Sequence, residues 1–68
     1  MKVKTKIVKR LRTDNQLSLK VSLKMDIQQA ALFRRIDRNS DTLFNDIRLL
    51  NVLKEEGFSE ADIFELNQ

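Results

Sequence analysis

An all-α bundle of about five short helices is the fold this sequence predicts. Three observations predict it: apolar residues recur at intervals of three and four, proline is absent, and Gly57 is the one glycine. With 68 residues there is chain for one core and not for two, so residues 1–68 are read as a single domain.

The first element covers Lys2 to Arg12, where Val3, Ile7, Val8 and Leu11 share one helical face. The alternation Val3-Lys4-Thr5-Lys6-Ile7 also fits a strand, and β-branched residues favour one, so both conformations stay open here. In either, the other face is cationic. Thr13-Asp14-Asn15 is a polar interruption whose short side chains accept from free helix N–H groups, which marks a turn and a cap. A second helix should run from about Gln16 to Met25-Asp26, with Leu17, Val21 and Met25 at intervals of four and Leu19 and Leu23 alongside.

A third helix should begin immediately, from Ile27, in a run to Ile36 rich in helix formers after its first residues. Ile27, Ala31 or Leu32, and Ile36 can face inward, which leaves Gln29, Ala30, Phe33 and Arg34 on the opposite side. The polar run from Asp37 to Thr42 is expected to end it. A fourth helix is expected over roughly Phe44 to Glu56, with Phe44, Ile47, Leu50 and Val52 or Leu53 as its apolar stripe. Gly57 is the natural residue for a positive φ after that helix, with Phe58 folding back onto its last turn. Ser59-Glu60-Ala61-Asp62 reads as a capping box that opens a short last helix through Ile63, Phe64 and Leu66.

Charge is unevenly placed along the chain. Residues 1–38 hold eleven Lys or Arg against Asp14, Asp26 and Asp37, a net +8, whereas residues 39–68 hold Arg48 and Lys54 against seven acids, a net −5; together these give the overall +3. Such polarity predicts a side that faces a polyanion and a side kept away from it, with nucleic acid the expected polyanion.

Several function classes lose ground on composition. Cysteine and histidine are both absent, which removes disulfides, thiolate metal sites and the commonest nucleophile and base pairings, so no metal, cofactor or small-molecule ligand is expected. Asp14, Asp26, Asp37, Asp41 and Asp46 show no spacing that singles out a catalytic pair, and no enzyme is expected. All four aromatics are Phe and none stands in a single-strand stacking pattern, which favours duplex over RNA recognition. No apolar run approaches the roughly 18 residues of a membrane span, and no signal-like segment follows the basic start. A cytoplasmic location is therefore expected, nucleoid-associated in a bacterial or phage setting.

Two short helices joined by about three residues, then a polar loop and more helices, is the outline of a helix-turn-helix over about residues 18–37. Val21 and Met25 stand where the first motif helix needs apolar contacts, and Ser22 is small enough for a close crossing. Asp26 stands where the turn prefers positive φ. The stretch from Val21-Ser22-Leu23-Lys24-Met25 through Asp26-Ile27-Gln28-Gln29-Ala30-Ala31-Leu32-Phe33-Arg34-Arg35-Ile36, followed by Asn39 and by Leu43 to Glu65, resembles the Cro and repressor-like family. This is the xenobiotic-response-element class of small phage-type transcriptional regulators, with a lambda-repressor-like fold. The ending Glu55-Glu56-Gly57-Phe58-Ser59-Glu60-Ala61-Asp62-Ile63 is similar to an ending common there. Three residues depart from the pattern: Asp26 stands for the usual Gly, Ser22 for Ala, and Arg35 for an apolar residue. Either the Arg35 stem packs inward while its guanidinium reaches out, or Ile36 takes the inward role.

The resemblance implies sequence-specific binding of double-stranded DNA, with a recognition helix over about residues 28–38 in the major groove. Gln28, Gln29, Ala30, Phe33 and Arg34 would face base edges, and Ser18, Lys20, Lys24, Arg35 and Arg38 would touch phosphates. Phe33 is equally suited to the core. The Lys2, Lys4, Lys6, Lys9, Arg10 and Arg12 cluster is either a further phosphate-binding arm or the wet side of the first helix. The same resemblance implies a homodimer on a pseudo-palindromic site, with Phe58, Phe64 and Leu66 as an interface unless they complete the monomer core. The rival expectation is an inhibitor-like or antitoxin-like module of phage or plasmid origin, in which the helix-turn-helix shape contacts a protein.

Overall fold

The computed structural model describes residues 2–65 and shows five helices: α1 (Thr5–Thr13), α2 (Asn15–Met25), α3 (Gln29–Leu43), α4 (Ile47–Glu55) and α5 (Glu60–Ile63). The all-α expectation holds among the described residues, where the only β pairing is an isolated antiparallel bridge between Val3 and Phe64. The first segment is therefore both of the things its pattern allowed. Val3 is extended and pairs with Phe64, and the helix starts after the Lys4 cap.

Helix α2 is the hub, packing against α1, α3 and α4. The faces follow from its sequence: Leu17, Val21 and Met25 point into the core, with Ser18 and Ser22 buried on the flank that meets α3. Leu32 and Ile36 of α3, Leu49, Val52 and Leu53 of α4, and Ile7 and Leu11 of α1 close around them. Asp14 caps α2 by accepting from the Leu17 N–H at 3.1 Å. Asp26 ends it in the left-handed region (φ 57°, ψ 46°), where the Ile27 N–H reaches the Ser22 carbonyl at 3.0 Å and the Asp26 N–H reaches Leu23 at 3.2 Å. This is the bond pair of a Schellman cap, and Gly57 (φ 98°) makes the same pair after α4, through Phe58 to Leu53 and Gly57 to Lys54.

Two expectations are corrected. The run from Asp37 to Thr42 does not end the third helix: only Asn39 leaves helical geometry (φ −164°, ψ 88°), and the helix resumes to Leu43. The Asn39 side chain accepts from the Thr42 N–H at 3.2 Å, so it caps the resumed turn. That bend delivers Leu43 and Phe44 to the core. Phe44 is fully buried at the end of α3 and does not open α4, whose start is set two residues later by Asp46 accepting from the Arg48 N–H. The later start turns the apolar stripe of α4 to Leu49, Val52 and Leu53, and leaves Ile47 63% exposed.

Ser59 and Asp62 form the expected capping box of α5. Phe64 is buried against the core, and Phe58 is half-buried against it with the Arg10 guanidinium 5.8 Å above its ring. Both complete the monomer, which takes them out of the expected dimer interface; Leu66 lies outside the described residues. Among the described residues no helix is long and apolar enough to cross a membrane.

Candidate nucleic-acid interface

The reversal at Asp26 sends α3 away from α2, and the exposed side of α3 carries the sequence-predicted residues in three groups. Ala30 and Arg34 are exposed, one turn apart, at the centre of that side. Arg35 and Arg38, both exposed, line the edge nearest the start of α4, where they border a shallow groove with Met25, Asn39, Thr42 and Asp46. Phe33 lies on the opposite edge and is half-buried against the core. The Arg12 guanidinium covers its ring at 5.6 Å from the centroid and pairs with Asp37. Phe33 is thus shielded by Arg12 and is not presented as a free ring. Ile36 is buried and Arg35 is exposed, which settles the alternative between them.

Three of the expected phosphate contacts are placed elsewhere. Ser18 is fully buried: its hydroxyl donates to the Asn15 carbonyl at 3.0 Å and accepts from the Gln29 amide at 2.6 Å. Its work is internal. Lys20 points to the flank of α2 opposite Ser18, where its ammonium bonds Glu56 at 2.8 Å, and that bond raises its pKa. Lys24 is exposed on the same α4-side flank, in a groove it shares with Val52, Glu55 and Glu56. Helical geometry forces this split, since positions 18 and 22 are a third of a turn or more from positions 20 and 24.

Gln28 is exposed at the cap of α3 and makes no side-chain capping bond. Gln29 is half-buried, and its amide nitrogen donates to Asn15 Oδ1 at 2.8 Å as well as to Ser18. Asn15 was visible in sequence only as part of a cap; nothing in its position announced a bond across fourteen residues. Arg48 is a second residue that sequence reasoning missed. It grips Asp46 through Nε and Nη2 and donates to the Met25 carbonyl at 3.3 Å, tying the end of α2 to the start of α4. Its side-chain hydrogen bond is the chief reason the Asp46 carboxyl is held below the usual aspartate range, with Arg35 adding to the effect.

The cations of α1 divide as well. Arg12 faces α3, whereas Lys4, Lys6, Lys9 and Arg10 line a groove of about 580 Å³ with Phe58, Glu56 and Asp62. The polarity of the sequence is therefore partly consumed inside the fold, because Asp62 lies close enough to Lys4 and Lys6 for their charge to lower its pKa after the larger effect of Ser59. Arg34, Arg35 and Arg38, on the outer side of α3, form no ion pair among the described residues, and Arg35 alone of them lies near enough to a carboxylate, Asp46, to lower its pKa. Among the described residues no group of acids is placed to hold a metal ion. Comparison of the chain with protein families, with curated proteins and with solved structures finds no match.

Proposed function

We propose that this protein is a sequence-specific double-stranded DNA-binding regulator of the Cro or repressor type, with α2 and α3 as its helix-turn-helix and the Gln29–Arg38 stretch of α3 in the major groove. The observation that carries this reading is the outer side of α3, where Arg34, Arg35 and Arg38 gather around Ala31 and form no ion pair among the described residues. A helix of that width fits the major groove, and two of the arginines are placed at the edge where phosphates would run. Arg34 reads a guanine edge, Ala30 allows close approach to a base, and Arg35 and Arg38 hold the backbone. The protein acts as a homodimer on a pseudo-palindromic site, because one such helix covers too few base pairs for selectivity.

Fluorescence anisotropy on duplexes selected from a random pool tests this. Arg38→Ala should weaken binding across all sequences and reduce the salt slope by about 1, whereas Arg34→Ala should relax preference at one base pair by about 1–3 kcal/mol. Retention that is independent of salt and unchanged by both substitutions overturns the reading.

One observation favours the protein-binding alternative, an inhibitor-like or antitoxin-like module. Leu19 and Leu23, one turn apart on the outer side of α2, are 44% and 82% exposed. In that case Leu23→Glu abolishes partner capture and leaves the arginine face idle.

A further inference from the structure

Gln29 is presented to its target as an acceptor only, and we infer that it reads an amino group rather than a whole adenine. The inference rests on the DNA-binding reading above and adds a rule of specificity to it. A free glutamine amide has two N–H donors and one carbonyl acceptor, which is why it can grip adenine at both N6 and N7. Here both donors are taken. One proton goes to Asn15 Oδ1 at 2.8 Å, the other to Ser18 Oγ at 2.6 Å. The Asn15 carbonyl, 3.0 Å from Ser18 Oγ, can only accept; with the hydroxyl proton spent there, Ser18 Oγ accepts from Gln29 and the amide stands with its nitrogen inward.

The carbonyl oxygen remains. It accepts from no group among the described residues, and since no buried side-chain polar atom there lacks a partner, Oε1 is not sealed from solvent. An acceptor in the major groove pairs with the N6 amino group of adenine or the N4 amino group of cytosine, and it opposes the keto oxygens of guanine and thymine. Adenine N7 is itself an acceptor and gains no partner. The bidentate Gln–adenine contact is thereby excluded, and the base opposite Gln29 is read as adenine or cytosine against guanine or thymine.

Asn15 and Ser18 are then positioning residues for specificity, though neither touches DNA. Releasing the amide should restore its donors. Selection from a random duplex pool, with Gln29→Ala used to locate the affected position, should give adenine and cytosine in comparable share for the parent protein. With Asn15→Ala combined with Ser18→Ala, adenine should rise over cytosine by about tenfold at that position alone, as a regained bidentate pair requires. Asn15→Ala alone, at an exposed site, should move the preference in the same direction without touching the core.

A readout in the free protein accompanies the selection: the Gln29 side-chain NH2 protons should exchange with water far more slowly than those of exposed Gln28, and equally fast in the double variant. Parent selection of adenine alone, or of guanine or thymine, overturns the acceptor rule while leaving DNA binding intact; fast Gln29 amide exchange in the parent does the same. Failure of the parent to enrich any duplex removes the DNA-binding reading and this inference with it.

Discussion

Asp26 has a backbone that L-residues avoid: at φ 57° and ψ 46° its Cβ crowds the following carbonyl, a conformation that costs roughly 1–2 kcal/mol for most side chains and less for Asp. The chain accepts this because the reversal between α2 and α3 depends on it, through the Ile27 and Asp26 N–H bonds back to Ser22 and Leu23. Asp26→Gly removes the crowding and should raise stability by about 0.5–1 kcal/mol, a few degrees in Tm for a domain of this length, after the added freedom of the unfolded chain is subtracted. Asp26→Val adds a branched Cβ to the same conformation and should lower stability by about 1–2 kcal/mol. Thermal unfolding followed by circular dichroism separates the two, and a valine variant as stable as the parent would show that the turn can be made another way. Residue-level features of this kind were legible in sequence because they are local: a polar residue tolerant of positive φ, at a fixed offset between two apolar runs, carries its own signal. The Gln29 clamp carried none, since it joins residues eleven and fourteen positions apart through side chains that are equally common on open surface.

Three of the five described helices use an aspartate at their start. Asp14 caps α2, Asp46 caps α4, and Asp62 closes the box that starts α5. All three carboxyls are held below the ordinary aspartate value of 3.8: Asp14 chiefly by the Leu17 N–H and then by Arg10, Asp46 chiefly by Arg48, and Asp62 chiefly by the Ser59 N–H. A carboxyl that is more acidic folded than unfolded contributes its full stabilisation above its unfolded value and loses it as pH falls through the lowered folded value. Stability should therefore be flat down to about pH 4.5 and fall below about pH 4. Asp14→Asn keeps a capping oxygen but has nothing to titrate, so its denaturation midpoint should lie below that of the parent at neutral pH and converge with it as pH falls below the lowered folded value of Asp14. A constant gap across that range would place the acid sensitivity in other groups. The caps at Asp14 and Ser59 could be read from sequence, as could the Gly57 stop. The boundary between α3 and α4 could not, because a polar run from Asp37 to Thr42 looks the same whether it ends a helix or, as here, bends one at Asn39 and keeps its other residues helical. What decides is the need to bury Leu43 and Phe44, a demand set by the core and not by the run itself.

At the scale of the molecule, the two ends of the described chain hold one another. The Lys4 N–H donates to the Ile63 carbonyl and the Glu65 N–H to the Lys2 carbonyl, each at 2.8 Å, around the Val3–Phe64 bridge, and the Val3 N–H reaches Asp41 Oδ1 at 3.0 Å. Val3 and Phe64 are 5% and 4% exposed, so the clasp is part of the core and not a fringe to it. Neither the strand-like alternation at Val3 nor the helical reading of Phe64 could reveal this, because each segment is explained only by the other, some sixty residues away. The clasp also brings Lys4 and Lys6 close enough to Asp62 of α5 for their charge to help lower its pKa. It makes a strong statement about cooperativity. Chain ends ordinarily fray, with amide protons that exchange long before the core opens. Here the Lys4 and Glu65 N–H groups should exchange only on global unfolding, at rates close to those of the α2 amides. Phe64→Ala empties a buried site at a cost of about 3–5 kcal/mol, against a total of roughly 3–10 kcal/mol for a domain of this size. If the clasp is integral, that variant should lose the α1, α2 and α4 signals in one transition at a much lower denaturant midpoint, with near-identical curves from circular dichroism and from amide exchange. A variant in which Lys4 and Glu65 become unprotected while the α2 and α4 amides keep their parent rates would show the opposite: a three-helix core that stands without its ends.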